Sequence, residues 1–540
     1  MKKGKLSILL AASSMAVAGV TLSSCGASSK VKNAGEAFQL LSIQDLKDNS
    51  SKEKPIEVLF WHSFGQNIET PLNSLIEDFE YDMEQQGIYI DIKAVSTGGG
   101  YDGLRSKVNS GIRSSSIPTM CLGYPDHFAD YINADILLPL DEFVNSTEDG
   151  VGMTGDYSVE DFVDSYWTEN LMDTKDADSN PEIVGIPFNK STEVMYYNAS
   201  AIDPILEREG WLDENDVWEN PTWEQLWTVA SELRQGIANN NCSWQYKYNG
   251  KTATYSADYK NTKYPVYIDS EANFFITTAR QWCDNETEAS SVYTTSTSVS
   301  EGKVTFDNSI TREAQAYFVE KSGINSETTL DDLWNIPAAV SRSYGSALTA
   351  LNQAFVSIGS TAGVNNNNSQ KFEMKITKIP QRTYDNGIQA VIQQGTNAAI
   401  LTKNSNNLTR LAAWLLIRYI TSQDATIEFS KKTGYLPVRE SAIASQEYTD
   451  FLSLADKDAD KTSMDYVKYA PVAKAVAAAN SQKSYYYTDP AFKGSSMIRD
   501  SLSGLVKSIY VTKQGIDHAY SATYNSLKQK GITCIKEGDE

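Results

Sequence analysis

Glu57-Val58-Leu59-Phe60-Trp61 is a short apolar run lying between Pro55-Ile56 and His62-Ser63. An apolar run of this length, bounded by polar and turn residues, predicts a buried strand of a parallel sheet. Downstream, Leu72, Leu75, Ile76 and Phe79 recur at helical spacing, which predicts a helix with one apolar face. Ile88-Tyr89-Ile90-Asp91-Ile92-Lys93 then alternates as a strand does, Gly98 to Tyr101 breaks the chain, Leu104 to Ile112 returns to helical spacing, and Thr119 to Gly123 forms a third strand. Strand, helix, strand, helix, strand is the signature of a parallel α/β sheet. On this reading the fold begins at Ile56.

A second α/β pattern follows. Pro221-Thr222 opens a helix from Trp223 to Leu233, Val304 to Phe306 is strand-like, and Ala354 to Ile358 is an apolar strand ending in Gly359-Ser360-Thr361. Val391 to Ile400 reads as a strand interrupted by Gln-Gln-Gly, and Leu408, Leu411, Leu415 and Tyr419 stripe a helix from Leu408 to Ile420. Residues 285–302 and Asn365–Ser369 are of low complexity, so exposed loops are expected there. No repeat of fixed period is present. With 540 residues the chain has length for roughly two to four domains.

The N-terminus points outside the cell. Lys2, Lys3 and Lys5 precede an uncharged stretch of apolar and small residues from Leu6 to Leu22, followed by Ser23-Ser24-Cys25-Gly26. A charged head, a short apolar region and small residues at the cut mark a secretory signal. The Cys after the small pair resembles a bacterial lipobox, which makes Cys25 the lipidated N-terminus of the mature chain. Residues 1–24 are thus expected as a lipoprotein signal peptide, and residues 25–55, rich in Ser, Gly, Lys and Asn, as a flexible tether with a short helix around Ala37–Leu46. Formal charge is −22, and loss of Lys2, Lys3 and Lys5 takes three more units, to −25. Such a field opposes nucleic acid and anionic lipid surfaces. Of the remaining cysteines (Cys121, Cys242, Cys283, Cys534), Cys242 with Cys283 is the first pairing to expect in an oxidising location. Isolated cysteines beside three histidines form no zinc pattern. No metal and no cofactor is indicated.

Gly98-Gly99-Gly100-Tyr101-Asp102-Gly103 satisfies G-x-G-x-x-G, but it follows the second strand of its unit in a secreted chain, so a dinucleotide site is disfavoured. A glycine-rich turn that brings backbone and Tyr101 close to a different ligand fits better. There is no G-x-S-x-G elbow, no H-E-x-x-H and no phosphate-binding G-x-x-x-x-G-K-[ST] loop. Nothing asks for catalysis, and the chain is read as no enzyme.

Phe60-Trp61-His62-Ser63, the Gly100-Tyr101 turn, Gly185-Ile186-Pro187-Phe188-Asn189-Lys190-Ser191-Thr192-Glu193-Val194-Met195-Tyr196-Tyr197-Asn198 and Lys432-Thr433-Gly434-Tyr435-Leu436-Pro437-Val438 together resemble the family-1 extracellular solute-binding proteins of ABC importers. The blocks span most of residues 55–510 and look nearest to the glycerol-3-phosphate and glycerophosphodiester binders. The resemblance implies an α/β, two-lobed periplasmic-binding-protein-like fold of type II, its lobes joined by a multi-strand hinge. Chain crossings would fall near Pro187–Tyr197, Val391–Asn397 and Tyr435–Arg439. The N-terminal lobe would comprise 56–190 and 396–438, the C-terminal lobe 191–395 and 439–540. The positions matching the family's ligand contacts are Tyr101, Ser191, Ser360, Gly395, Tyr435 and Arg499, with Trp61, Tyr124, Asp126, Thr192 and Thr361 as further candidates. A membrane permease, a small-molecule ligand, a monomeric state and lipid anchoring at the outer face of the cell membrane are implied likewise.

Residue chemistry points the same way. Arg offers a planar fork suited to phosphate or carboxylate, the hydroxyls of Ser191, Thr192, Ser360 and Thr361 lie beside turns, and Tyr101, Tyr124 and Tyr435 make an apolar wall with polar tips. Each has a plain structural alternative: a hinge turn for Ser191-Thr192, hinge packing for Tyr435, a surface helix for Arg499. The family's glycerophosphate binders carry an acid after the tyrosine of the third strand, whereas this chain has Tyr124-Pro125-Asp126, one place late. A sugar or oligosaccharide is therefore the alternative ligand, and Trp244 or Trp282, in the insert 239–303, offers a ring for stacking. A surface hydrolase and a structural lipoprotein are the competing classes. The first requires a perturbed acid or nucleophile in the cleft, and the second has no closed polar cleft.

Overall fold

The computed structural model describes residues 36–114, 116–174, 180–239, 243–248, 251–256, 264–322, 354–364 and 372–538. Residues 1–24, Cys25, Cys242 and Asn365–Ser369 lie outside the described residues, as does the Trp244 side chain. Nine strands form the main sheet: β1 (Ile56–His62), β2 (Ile90–Ser96), β3 (Met120–Gly123), β4 (Ile186–Asn198), β5 (Tyr264–Ile268), β6 (Ala354–Ser360), β7 (Met374–Thr377), β8 (Val391–Ile400) and β9 (Tyr486–Tyr487). Their order is β2-β1-β3-β8-β4-β6-β5, with β7 on β4 and β9 on β8.

At one end β1 pairs in parallel with β2 and β3, the arrangement that the apolar run at Val58–Trp61 predicts. Helices Gln66–Gln85 and Gly100–Gly111 make the crossovers, and Leu72, Leu75, Ile76 and Phe79 form the buried stripe of the first. At the other end β6 pairs in parallel with β5, Val356 opposite Val266. Two long strands join the ends. β8 is antiparallel to β3 through Asn397–Ile400 and to β4 through Gln393–Ala398, while β9 adds in parallel at Val391–Ile392. β4 continues past β8 to pair antiparallel with β6 and β7.

The apolar residues divide accordingly. One core gathers residues between Leu46 and Phe188 with residues between Ala398 and Val438, centred on β1, β3 and the fully buried Trp414. Another gathers residues from Met195 to Leu527, including Trp223, Phe274, Phe318 and Tyr510. Behind the crossings a third cluster packs Val194 and Tyr196 against Leu436, Tyr448 and Val476. Two lobes on one mixed sheet, with several strands passing between them, is the expected two-lobed α/β architecture.

Three local expectations need correction. The fold begins at or before Glu36, not at Ile56: Leu46 is fully buried, Phe38 meets Phe143 edge-on at 5.2 Å, and Arg410 donates to the Glu36 carbonyl at 2.8 Å. The polar composition of 36–55 hid five apolar residues (Phe38, Leu40, Leu41, Ile43, Leu46) that dock on the first core. The helix there is Ile43–Asn49, capped by Ser42 and Asp45, so it starts later than Ala37. Residues 285–302 hold a short helix, Glu286–Ala289, and a hairpin, Thr294–Ser298 with Glu301–Val304. Cys283 is a buried free thiol, while Cys242, the partner expected for it, lies outside the described residues.

Leu46→Ala should lower the unfolding free energy by about 2–5 kcal/mol, the usual cost of emptying a filled apolar site. Urea unfolding of the two proteins measures it, and a loss under about 0.5 kcal/mol, typical of surface changes, would show the segment to be loosely attached.

Candidate functional site

A cavity of about 640 Å³ lies between the two cores and is walled by both. Strands of an α/β sheet end where helices begin, so ligands of such sheets meet helix N-termini. Here the first residues of helices Gln66–Gln85, Gly100–Gly111, Pro125–Asn133, Glu271–Gln281 and Ser495–Tyr510 all reach the wall. The turn before the second of these is Gly98-Gly99-Gly100, each at positive φ, which lets Tyr101 enter the cavity from the helix's first turn.

Three tyrosines share one side. The Tyr101 and Tyr435 hydroxyls are 2.9 Å apart, and Asn189 of β4 donates to Tyr101 at 2.9 Å. Tyr124 stands edge-on to Tyr101 with ring centroids 5.1 Å apart, and Phe64 closes the corner 6.0 Å from Tyr435. Burial pushes the Tyr101, Tyr124 and Tyr435 phenols upward, so all three stay protonated and able to donate.

Arg499 faces them from helix Ser495–Tyr510. Its Nη1 donates to Asp489 at 2.7 Å and its Nη2 to Asn273 Oδ1 at 2.6 Å. Asn273 in turn donates to Glu193 of β4 at 2.8 Å, and Tyr293 donates to the other Asp489 oxygen. Burial raises Glu193 to about 7, against the relief from Asn273.

The wall is rich in acids: Asp102, Asp126, Glu169, Asp269, Asp489 and Asp500 against the one guanidinium of Arg499. Glu169 is spoken for, accepting from the buried Lys190, from Gln393 Nε2 at 2.7 Å and from Asn397 at 2.9 Å. Asp126 is not. Burial raises it to about 6, with Arg499 and Arg105 pulling the other way, and its Oδ1 is buried without a hydrogen-bond partner. His127 beside it is held near 3 by burial and Arg105, so it is neutral and supplies no counter-charge. Gln393 Oε1 is a second bare acceptor on the wall. A buried acceptor left open is costly unless something fills it.

Gly395 sits in β8 at φ +94°, and a Cβ there would come within 1.9 Å of the Asn189 carbonyl. Close approach of the two crossing strands demands glycine at this point.

A family model described as bacterial extracellular solute-binding protein matches residues 74–459. The chain belongs to the bacterial extracellular solute-binding proteins. Solved structures of similar fold include UgpB from Mycobacterium tuberculosis in complex with glycerophosphocholine, at 17% identity and TM-score 0.59, covering 88% of this chain and 99% of that one. Maltose-bound MalE3 of T. maritima matches at 12% identity and TM-score 0.60 over 88% of this chain and 100% of that one. Lmo0181 of Listeria monocytogenes in complex with cycloalternan matches at 14% identity and TM-score 0.60, covering 89% and 100%. Among curated proteins none matches the chain.

In this solute-binding protein Tyr101, Ser360, Gly395, Tyr435 and Arg499 line the one cavity, with Tyr124 and Asp126. Ser191 and Thr192 lie within β4 opposite Gln394 and Gln393 and are not on the wall, Thr192 donating to the Ile392 carbonyl at 2.8 Å. Thr361 is fully buried off the wall, its hydroxyl unpartnered. Trp61 packs under Lys107, 4.5 Å from its ring, and Trp282 packs on Phe318 in the second core. Sequence reading missed Phe64, Glu169, Asp269, Asn273, Gln393 and Asp489. The Gln-Gln-Gly break in the apolar run of β8 was the one signal available for Gln393; the rest sit in stretches with no pattern of their own. No described helix is long and apolar enough to cross a membrane.

The raised Asp126 works against the folded state at neutral pH. Its folded value of about 6 exceeds the ordinary value of about 3.9, so its contribution is fully present below pH 4 and is lost as pH rises through 6. Asp126→Asn should therefore gain stability over the wild type between pH 4 and pH 7. Paired melting curves across that range check it, and parallel curves would place the Asp126 carboxyl in water.

Proposed function

We propose that this chain is the lipid-anchored capture subunit of an ABC importer, with Cys25 as the anchor and a membrane permease as its partner. It takes a small glycerophosphate-type solute into the cleft and holds it, unaltered, by closure of the lobes. The observation that carries this reading is a cavity fed by both lobes and the hinge, in which one guanidinium, a tyrosine wall and two bare acceptors face each other. Arg499 is the anion partner, Tyr101, Tyr124 and Tyr435 cover the carbon skeleton and donate from their hydroxyls, and Ser360 adds a small hydroxyl. Asp126 and Gln393 accept from ligand hydroxyls. Ser191, Thr192, Thr361 and Trp61 are assigned to supporting the wall from behind.

Charge narrows the class. A phosphate monoester brings close to two negative charges at neutral pH, against a single guanidinium already neutralised by Asp489. A phosphodiester brings one, and its glycerol hydroxyls answer the acceptors. A glycerophosphodiester thus fits better than glycerol 3-phosphate. The surplus of acids favours one second reading, a neutral sugar, whose hydroxyls donate to carboxylates and whose face packs on tyrosine.

Thermal-shift measurements decide, because a solute bound by the folded form alone raises the melting temperature. Glycerophosphocholine should give a larger rise than glycerol 3-phosphate, and Arg499→Ala should abolish it. A rise with maltotriose that survives Arg499→Ala would establish the sugar reading. Release of a product from either compound would overturn capture without turnover.

A further inference from the structure

The hairpin Thr294–Val304 belongs by its base to the second lobe, where Val292, Tyr293 and Val304 are core residues. Its tip goes elsewhere. Val299 is 7% exposed and packs in the core of the first lobe. Asn133, the last residue of helix Pro125–Asn133, grips the tip with both ends of its amide: Nδ2 donates to the Val299 carbonyl at 3.2 Å, and Oδ1 accepts from Ser300 Oγ at 3.1 Å. Second-lobe backbone braces both tip and base from behind. The Lys493 N–H donates to the same Val299 carbonyl at 2.8 Å, and the C-terminal segment bonds Val304 from both sides, through the Thr533 carbonyl and the Ile535 N–H, each at 2.9 Å.

Two further links cross between the lobes nearby. The Gly494 N–H donates to Asp130 at 3.3 Å, and Arg105 meets Asp500 at 3.2 Å. Asp500 and Ser496 are walls of the ligand cavity and also of a second hollow, of about 1050 Å³, which Ser300 and Gly302 of the hairpin help to line. The hairpin therefore spans from lobe to lobe beside the cavity.

We propose that this hairpin is a clasp that holds the lobes closed before any solute arrives, with Val299 as its plug and Asn133 as its catch. Opening the cleft must pull Val299 into water and break the Asn133 bonds, so the clasp biases the open–closed equilibrium independently of the ligand. It lowers the cost of closure for the solute and slows the solute's escape. The inference concerns the closing motion and stands whichever solute the cleft takes.

The test needs no ligand. Asn133→Cys with Ser300→Cys in the full chain, with Cys25, Cys242 and Cys534 replaced by Ser, should cross-link readily under a mild oxidant; Cys121 and Cys283 are buried and do not compete. Adding Val299→Ser should slow cross-linking on the order of tenfold, and Val299→Asp by more. Cooperative melting shows that each variant is folded. Small-angle scattering of the ligand-free wild type should give the same radius of gyration as the cross-linked protein. A cross-linking rate indifferent to Val299, or a ligand-free wild type more extended than the cross-linked form, overturns the clasp.

Discussion

Asn189-Lys190-Ser191-Thr192-Glu193 places five polar residues in succession on β4, a strand whose thirteen residues are all buried. Buried polar groups must be paired, and no strand can pair five such side chains by itself. For four of them the partners come from elements far apart in sequence: Tyr101 for Asn189, Glu169 for Lys190, the Ile392 carbonyl for Thr192 and Asn273 for Glu193. Tyr101 and Glu169 are first-lobe residues, Asn273 belongs to the second, and Ile392 is on the other crossing strand. The need to satisfy one buried polar strand thereby fixes where both halves of the cleft stand.

The same pairing connects the hinge to the ligand wall. Asn189 holds the Tyr101 hydroxyl, which meets Tyr435, so the tyrosine wall is registered directly on β4. On the far side Glu193 holds Asn273, which holds Arg499. A rotation between lobes changes the distance between these chains while each stays anchored to the same strand. Closure about such a hinge is a rigid-body movement that leaves each wall internally intact.

The framework was legible because it depends on periodicity. The apolar run at Val58–Trp61, the stripe on helix Gln66–Gln85 and the ends of β8 at Val391 and Ile400 needed no tertiary information. The cleft was partly legible, since Tyr101 and Tyr435 stood in recognisable blocks, while Arg499 had only its place at the start of the amphipathic helix Ser495–Tyr510 to mark it. Asp489 and Asn273 were not, because their importance is the contact with Arg499: Asn273 is 226 positions away, and Asp489, only 10 away, lies in a stretch with no periodic pattern. Residues 36–55 misled for the opposite reason. Their composition is that of a linker, and a few apolar side chains at irregular spacing suffice to dock a segment on an existing core without making any periodic signal of their own.

The charge of the whole chain bears on the choice of solute. At −22 it presents a negative field to the surrounding medium, and at physiological ionic strength that field is screened beyond about 8 Å. A dianion near the cleft still meets Asp102 and Asp500 at the rim before it reaches Arg499, so its approach is slowed where steering would otherwise help. A solute with one negative charge or none escapes most of that repulsion, and on the proposed reading it trades water for the bare oxygens of Asp126 and Gln393. Field and wall thus support the same proposed class of solute, one with hydroxyls to donate and little negative charge to accommodate.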